Sequence, residues 1–154
     1  MKTEIDLQTA TRWSNEIIEK LLPFTEKCLI AGSVRRLKPI VGNIELVIVI
    51  DRKNISKFAN VIYENFKVGM KRESRYIKFN YQRIQVDMFI PQYEDWVRKY
   101  VIRTGSAEFV HKKISTQWNK LGWVVTENGL RREAECEKKV VGNVLGIQKT
   151  KWIE

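Results

Sequence analysis

The residues able to do chemistry fall in two short stretches. The first reads Gly32-Ser33-Val34-Arg35-Arg36 and resumes at Gly42-Asn43-Ile44-Glu45. Alternate side chains of a strand share a face, so Asn43 and Glu45 point one way while Ile44, Leu46, Ile48 and Ile50 point the other. The second stretch is Ile84-Gln85-Val86-Asp87-Met88-Phe89-Ile90, an apolar strand pattern that carries one carboxylate. A small-residue turn with two arginines suits a chain of phosphates, and side-chain oxygens suit Mg²⁺, which prefers hard ligands and bridges to phosphate. A plainer reading fits the same residues: a strand-turn-strand with a solvated polar edge, and Asp87 in a salt bridge to Arg83 or Arg36. Either way, a carboxylate in an apolar strand is costly unless paired or bound to a metal.

The elements that must hold these residues follow from periodicity. Ala10, Trp13, Ile17 and Leu21 recur every three or four residues, which predicts a helix over 7–22 stopped by Pro23, with Trp13 in the core. Cys28 to Ala31 predicts a buried strand, and Asn43 to Ile50 a second. Asp51-Arg52-Lys53 predicts a turn and Asn54 a helix cap, before Ile55, Phe58, Ile62 and Phe66 mark a second helix. Residues 75–80 and 83–90 predict a hairpin around Tyr81-Gln82. Pro91 closes that strand and a helix begins over 94–100. Thr104-Gly105-Ser106 predicts a turn and cap before a helix over 107–121, which Gly122 ends. Trp123 to Thr126, Asn128-Gly129 and Leu130 to Arg132 predict a short hairpin, and residues 137–147 a last helix. Strands alternating with helices give an α+β or α/β layer.

Composition narrows the function. Across 154 residues, 28 Lys and Arg stand against 18 Asp and Glu, a net charge of +10, which favours a polyanionic partner through counterion release. The basic residues are scattered, so a surface stripe is expected. A single histidine, His111, argues against a histidine-based metal or acid–base site. The two cysteines, Cys28 and Cys136, form no ligand cluster, and Cys28 reads as a free core thiol. No apolar run approaches the ~20 residues of a membrane helix, and Met1 to Asp6 has no signal-peptide pattern. A monomeric, cytoplasmic protein is expected.

Gly32-Ser33, Arg35-Arg36 and Gly42-Asn43-Ile44-Glu45 resemble the nucleotidyltransferase motif of the X family of DNA polymerases: Gly-Ser, two arginines, a spacer, then Gly-Asp-x-Asp or Gly-Asp-x-Glu. Thr104-Gly105-Ser106 is a second match, and Leu145-Gly146-Ile147 resembles the family's closing turn. The resemblance implies an α+β fold: a nucleotidyltransferase-type palm, a mixed sheet with helices on it, over 1–91, and a small helix and hairpin lobe that selects the nucleotide over 92–154. It implies no N-terminal lyase domain and no helix-hairpin-helix region, as in compact viral members, and so an intracellular protein of bacterial, phage or viral origin. It implies a DNA polymerase that adds a nucleoside monophosphate from a dNTP to a 3′-hydroxyl in gapped or primer-template DNA, in DNA repair. Glu45, Asp87 and more weakly Asn43 would be the catalytic residues and would hold two Mg²⁺ or Mn²⁺ ions, with Asp87 the general base or base-side ligand. Gly32, Ser33, Arg36, Gly42, Thr104 and Gly105 would bind the nucleotide, with Arg35 in the less certain arginine position. The basic residues Lys112, Lys113 and Lys120 would contact DNA phosphates, or form a solvated surface.

The departures from the family pattern are informative. Asn43 stands where the family has Asp. Losing one unit charge ~4 Å from a dication, at an effective dielectric of about 20, forgoes on the order of several kcal/mol of attraction. That predicts weak metal binding and severely reduced catalysis. Ile102 and Arg103 replace two aromatics that help exclude ribonucleotides, and Val110 replaces an asparagine that contacts the incoming base. Pro91 follows Asp87 one residue closer than in the best-known members. Two other functions stay open: transfer to RNA or protein, and a catalytically inactive module that binds nucleotide or DNA.

Overall fold

The computed structural model describes residues 3–106 and two short strands at 124–126 and 129–131. Strand β1 (Ile5–Asp6) leads directly into helix α1 (Leu7–Leu21), capped by Asp6, whose carboxylate accepts from the Thr9 N–H at 2.7 Å. A 3₁₀ turn at Leu22–Phe24, with Pro23 in it, ends the helix. Strand β2 (Lys27–Ala31), the one-turn helix α2 (Gly32–Arg35), strand β3 (Ile40–Val41) and strand β4 (Asn43–Val49) follow. Next come helix α3 (Ile55–Phe66), strands β5 (Tyr76–Tyr81) and β6 (Ile84–Phe89), and helix α4 (Trp96–Thr104).

Four of these strands form a mixed sheet in the order β2-β4-β6-β5. β4 runs parallel to β6, and the outer pairs are antiparallel. The alternation of β4 decides which face is which. Ile44, Leu46, Ile48 and Ile50 pack into the main core with Ala10, Trp13, Ile17 and Leu21 of α1 and Phe58 and Ile62 of α3. Among the described residues, the opposite face is closed only at one end, where Ala31, Val47 and Phe89 meet Leu29 and Tyr100 of α4. Its other end carries Asn43, Glu45, Gln85 and Asp87. The fold is therefore α+β, a mixed sheet with helices on it. Strands β7 (Val124–Thr126) and β8 (Gly129–Arg131) pair antiparallel as expected, but Gly129 lies opposite Thr126 within the strand rather than in the expected Asn128-Gly129 turn. The helices expected over 107–121 and 137–147 lie outside the described residues. Among the described residues, no helix is long and apolar enough to cross a membrane.

Three expectations shift locally. The hairpin turn is Gln82-Arg83, because Tyr81 pairs with Ile84 and Gln82 takes a φ of 56°. Tyr81 stays in the strand because its ring meets Trp13 edge-on at 6.2 Å and its hydroxyl donates to Glu16 of α1 at 2.6 Å. Asn54 sits at the cap position of α3, yet its side chain makes no capping bond there. A capping residue needs extended backbone, whereas Asn54 has φ −99° and ψ 3° within a 3₁₀ turn that Asp51 caps through the Lys53 N–H at 3.1 Å. Cys28 is free but only half-buried, 3.3 Å from the Thr25 hydroxyl.

Phe58 is fully buried where α3 meets the sheet. Truncating a buried phenylalanine removes transfer free energy and leaves a cavity, so Phe58→Ala should lower the unfolding free energy by about 3–5 kcal/mol in a urea titration. A loss below 1 kcal/mol would contradict this core.

Candidate functional site

Pairing register brings the two chemical stretches together. Glu45 of β4 lies opposite Asp87 of β6, and Asn43 opposite Gln85. Both strands point these side chains to the open end of the sheet. Asp87 is only 6% exposed, so its carboxylate needs partners. It has three, all neutral. Asn43 Nδ2 donates to Oδ2 at 2.6 Å, the Tyr76 hydroxyl donates to Oδ1 at 2.5 Å, and Gln85 Nε2 reaches both oxygens at 3.0 and 3.2 Å. The arginine salt bridge read from sequence is not made. Arg83 instead lies 5.2 Å over the Trp13 ring, and Arg36 points elsewhere.

Glu45 is placed by a glycine. Gly32 has φ +62°, and a Cβ built on it would lie 2.0 Å from Glu45 Oε2. The glycine is required twice, for the left-handed backbone and for the space the carboxylate fills. Ser33 follows it in α2, and Gly42 leads into β4.

Arg36 joins the opening stretch to the Thr104-Gly105-Ser106 turn. Its guanidinium donates to the Thr104 carbonyl at 2.8 Å and to that of Gly105 at 3.5 Å. Those carbonyls end α4, where a cation complements the helix dipole. The Gly105 N–H closes the helix onto the Val101 carbonyl at 2.9 Å. Among the described residues, Arg36 Nε, Arg103 Nε and the Thr104 hydroxyl are buried without a hydrogen-bond partner. Buried polar groups are nearly always satisfied, so such orphans call for an explanation, and an absent ligand is one.

A cleft of about 520 Å³, within the usual range for small-molecule sites, contains Asn43, Glu45 and Asp87. Its other charged walls are Arg75, Lys99 and Arg103. Desolvation and the neighbouring arginines Arg98 and Arg103 lower the pKa of Lys99. Sequence reading missed Tyr76, Gln85, Arg75 and Lys99. Gln85 had a signal, since it lies two residues before Asp87 on the same strand face. Tyr76 had one as well: a hairpin turning at Tyr81-Gln82 pairs it with Asp87, whereas the structure sets it opposite Phe89 and its hydroxyl reaches Asp87 diagonally.

Glu45 and Asp87 are hard, anionic oxygen donors that suit Mg²⁺ or Mn²⁺. Asn43 could add a carbonyl oxygen, although here its amide nitrogen faces Asp87. The donor set fits one divalent ion and is one carboxylate short of the family's pattern for two. Among the described residues, no three His, Cys, Asp or Glu side chains converge as a metal site. Lys112, Lys113 and Lys120 lie outside the described residues.

No family model matches the chain, and no curated protein matches it. Among solved structures it is similar to Leishmania infantum polymerase beta in a ternary P/T complex, with a TM-score of 0.63 and 16% identity. The match covers 92% of this chain and 63% of that one, so this chain spans less than two thirds of that protein. The likeness establishes a polymerase-β-like fold.

Two outcomes test the site. Gly32→Ala should cost about 1–2 kcal/mol from its backbone alone, and more from displacing Glu45, read as a lower urea midpoint. An unchanged midpoint would contradict the packing of Glu45 on Gly32. The second concerns Tyr76, whose hydrogen bond to Asp87, with burial and the Asp87 charge, raises its pKa from 10.0 to about 12. The folded value lies above the unfolded one, so this stabilisation is full below pH 10 and is lost as pH rises through about 12. Thermal melts of Tyr76→Phe should therefore fall less steeply than those of the parent across that window. Parallel curves would contradict the bond.

Proposed function

We propose that this protein is a metal-dependent DNA polymerase of the nucleotidyltransferase type, transferring a nucleoside monophosphate from a dNTP to a DNA 3′-hydroxyl in gap filling or repair. The observation that carries the reading is the convergence of Asn43, Glu45 and Asp87 beside Gly32 at the open end of a polymerase-β-like sheet. The solved neighbour's P/T complex supports DNA as the partner. Residues 1–91 serve as the palm and 92–154 as the nucleotide-selecting lobe of a monomer.

Glu45 and Asp87 would hold one Mg²⁺ or Mn²⁺ ion, and with Asn43 a second ion more weakly. When bound, such ions supply charge neutralisation at the attacking and leaving oxygens of phosphoryl transfer. Asp87 orients the primer 3′-hydroxyl and accepts its proton. Ser33, Arg36 and the Gly32 and Gly42 backbones hold the β- and γ-phosphates, and Thr104 and Gly105 border the sugar. The orphaned Nε of Arg36 supports a phosphate contact there. The bond from the Asn43 amide to Asp87 favours a second reading, a catalytically inactive module that binds nucleotide or DNA, because it engages Asp87 without a metal.

Primer extension on gapped DNA, in Mg²⁺ and in Mn²⁺, separates the two. Asn43→Asp should raise incorporation by about a hundredfold or more, since restoring a few kcal/mol of transition-state attraction yields that factor. Equal silence from parent and variant, both folded, would sink the polymerase reading.

A further inference from the structure

Among the described residues, the cleft holds more fixed positive charge than negative. Glu45 and Asp87 face Arg75, Lys99 and Arg103 across it. Lys99 and Arg103 lie four residues apart on α4, so they share one helix face. Like charges at that spacing destabilise a helix, and both side chains are half-buried. Neither makes an ion pair with a described residue. The Arg103 guanidinium instead lies 4.2 Å over the Phe89 ring, next to Asp87 on the sheet, and its Nε is buried without a partner. Arg36 reaches the last carbonyls of the same helix and also has an orphaned Nε. A desolvated like-charge pair with an unspent donor, beside a second such arginine, is arranged for an anion that reaches both.

We propose that Lys99 and Arg103, with Arg75 at the rim, form a cationic subsite that holds the phosphates of a nucleotide without a divalent ion. The subsite rests on the nucleotide reading above and adds its charge source. Asp87 has its oxygens engaged by Asn43, Tyr76 and Gln85, three neutral groups of the protein. Arg103 supplies two further donors for a phosphate once its Nε and one terminal nitrogen turn from the ring.

Calorimetric titration with dATP tests this, in EDTA and in Mg²⁺, on the whole chain. Binding is expected in EDTA, and inorganic tripolyphosphate should displace the dATP. Arg103→Met keeps the packing on Phe89 and removes the charge, and should weaken binding at least tenfold. Lys99→Met, on the half-exposed side chain, should weaken it in the same direction, and Arg103→Lys should restore most of the affinity. Binding that requires Mg²⁺ overturns the subsite and leaves the nucleotide reading standing. Parent-like affinity in both methionine variants, or no displacement by tripolyphosphate, also overturns it. No dATP binding in either buffer overturns both readings.

Discussion

The burial of Asp87 is the constraint that the rest of the structure satisfies. A carboxylate at 6% exposure in the middle of a sheet must be solvated by protein groups. Its donors come from three neighbouring strands: Asn43 from β4, Gln85 from β6 itself and Tyr76 from β5. The Asn43 and Tyr76 contacts each fix a register. A slip of one residue in either pairing would turn a donor to the opposite face and bring an apolar neighbour into its place. The same alternation sends Ile44, Leu46, Val86 and Met88 into the core against α1 and α3. Core formation and site formation are thus one event, because the strand period that buries one face presents the other.

Much of this was legible in the chain. The stripe of α1, the strand that carries Asn43 and Glu45 and the polar intruder at Asp87 were all plain in periodicity. The Gly-Ser, Arg-Arg and Thr-Gly-Ser segments marked a resemblance that the fold then supported. What was hidden depended on pairing across the sequence. The turn at Gln82-Arg83, rather than one residue earlier, sets Tyr76 opposite Phe89, so its bond to Asp87 is diagonal and rests on the reach of the phenol. Tyr81 looked like turn material, yet its ring and hydroxyl are spent on α1. Asn54 had the right chemistry for a cap and the wrong backbone for one. Arg36 looked like a phosphate ligand or a partner of Asp87, whereas it closes the end of α4 some 68 residues away in sequence.

Asn43 takes its meaning from those contacts. Two or three carboxylates gathered at one end of a sheet repel unless a cation lies between them, so an all-acid site depends on its metal for local order. An amide at position 43 removes that dependence, since it donates to Asp87 at 2.6 Å and holds the strands' polar ends together unaided. The same exchange weakens the pull on a dication. On the nucleotide reading proposed above, positive charge for a phosphate would then come from the protein, and Lys99 and Arg103 line the cleft. Arg103 stands where the resembled family has an aromatic residue, so the departures at 43 and 103 act in one direction. One lowers the negative charge of the cleft and the other raises its positive charge, moving its balance from attracting a metal toward attracting an anion.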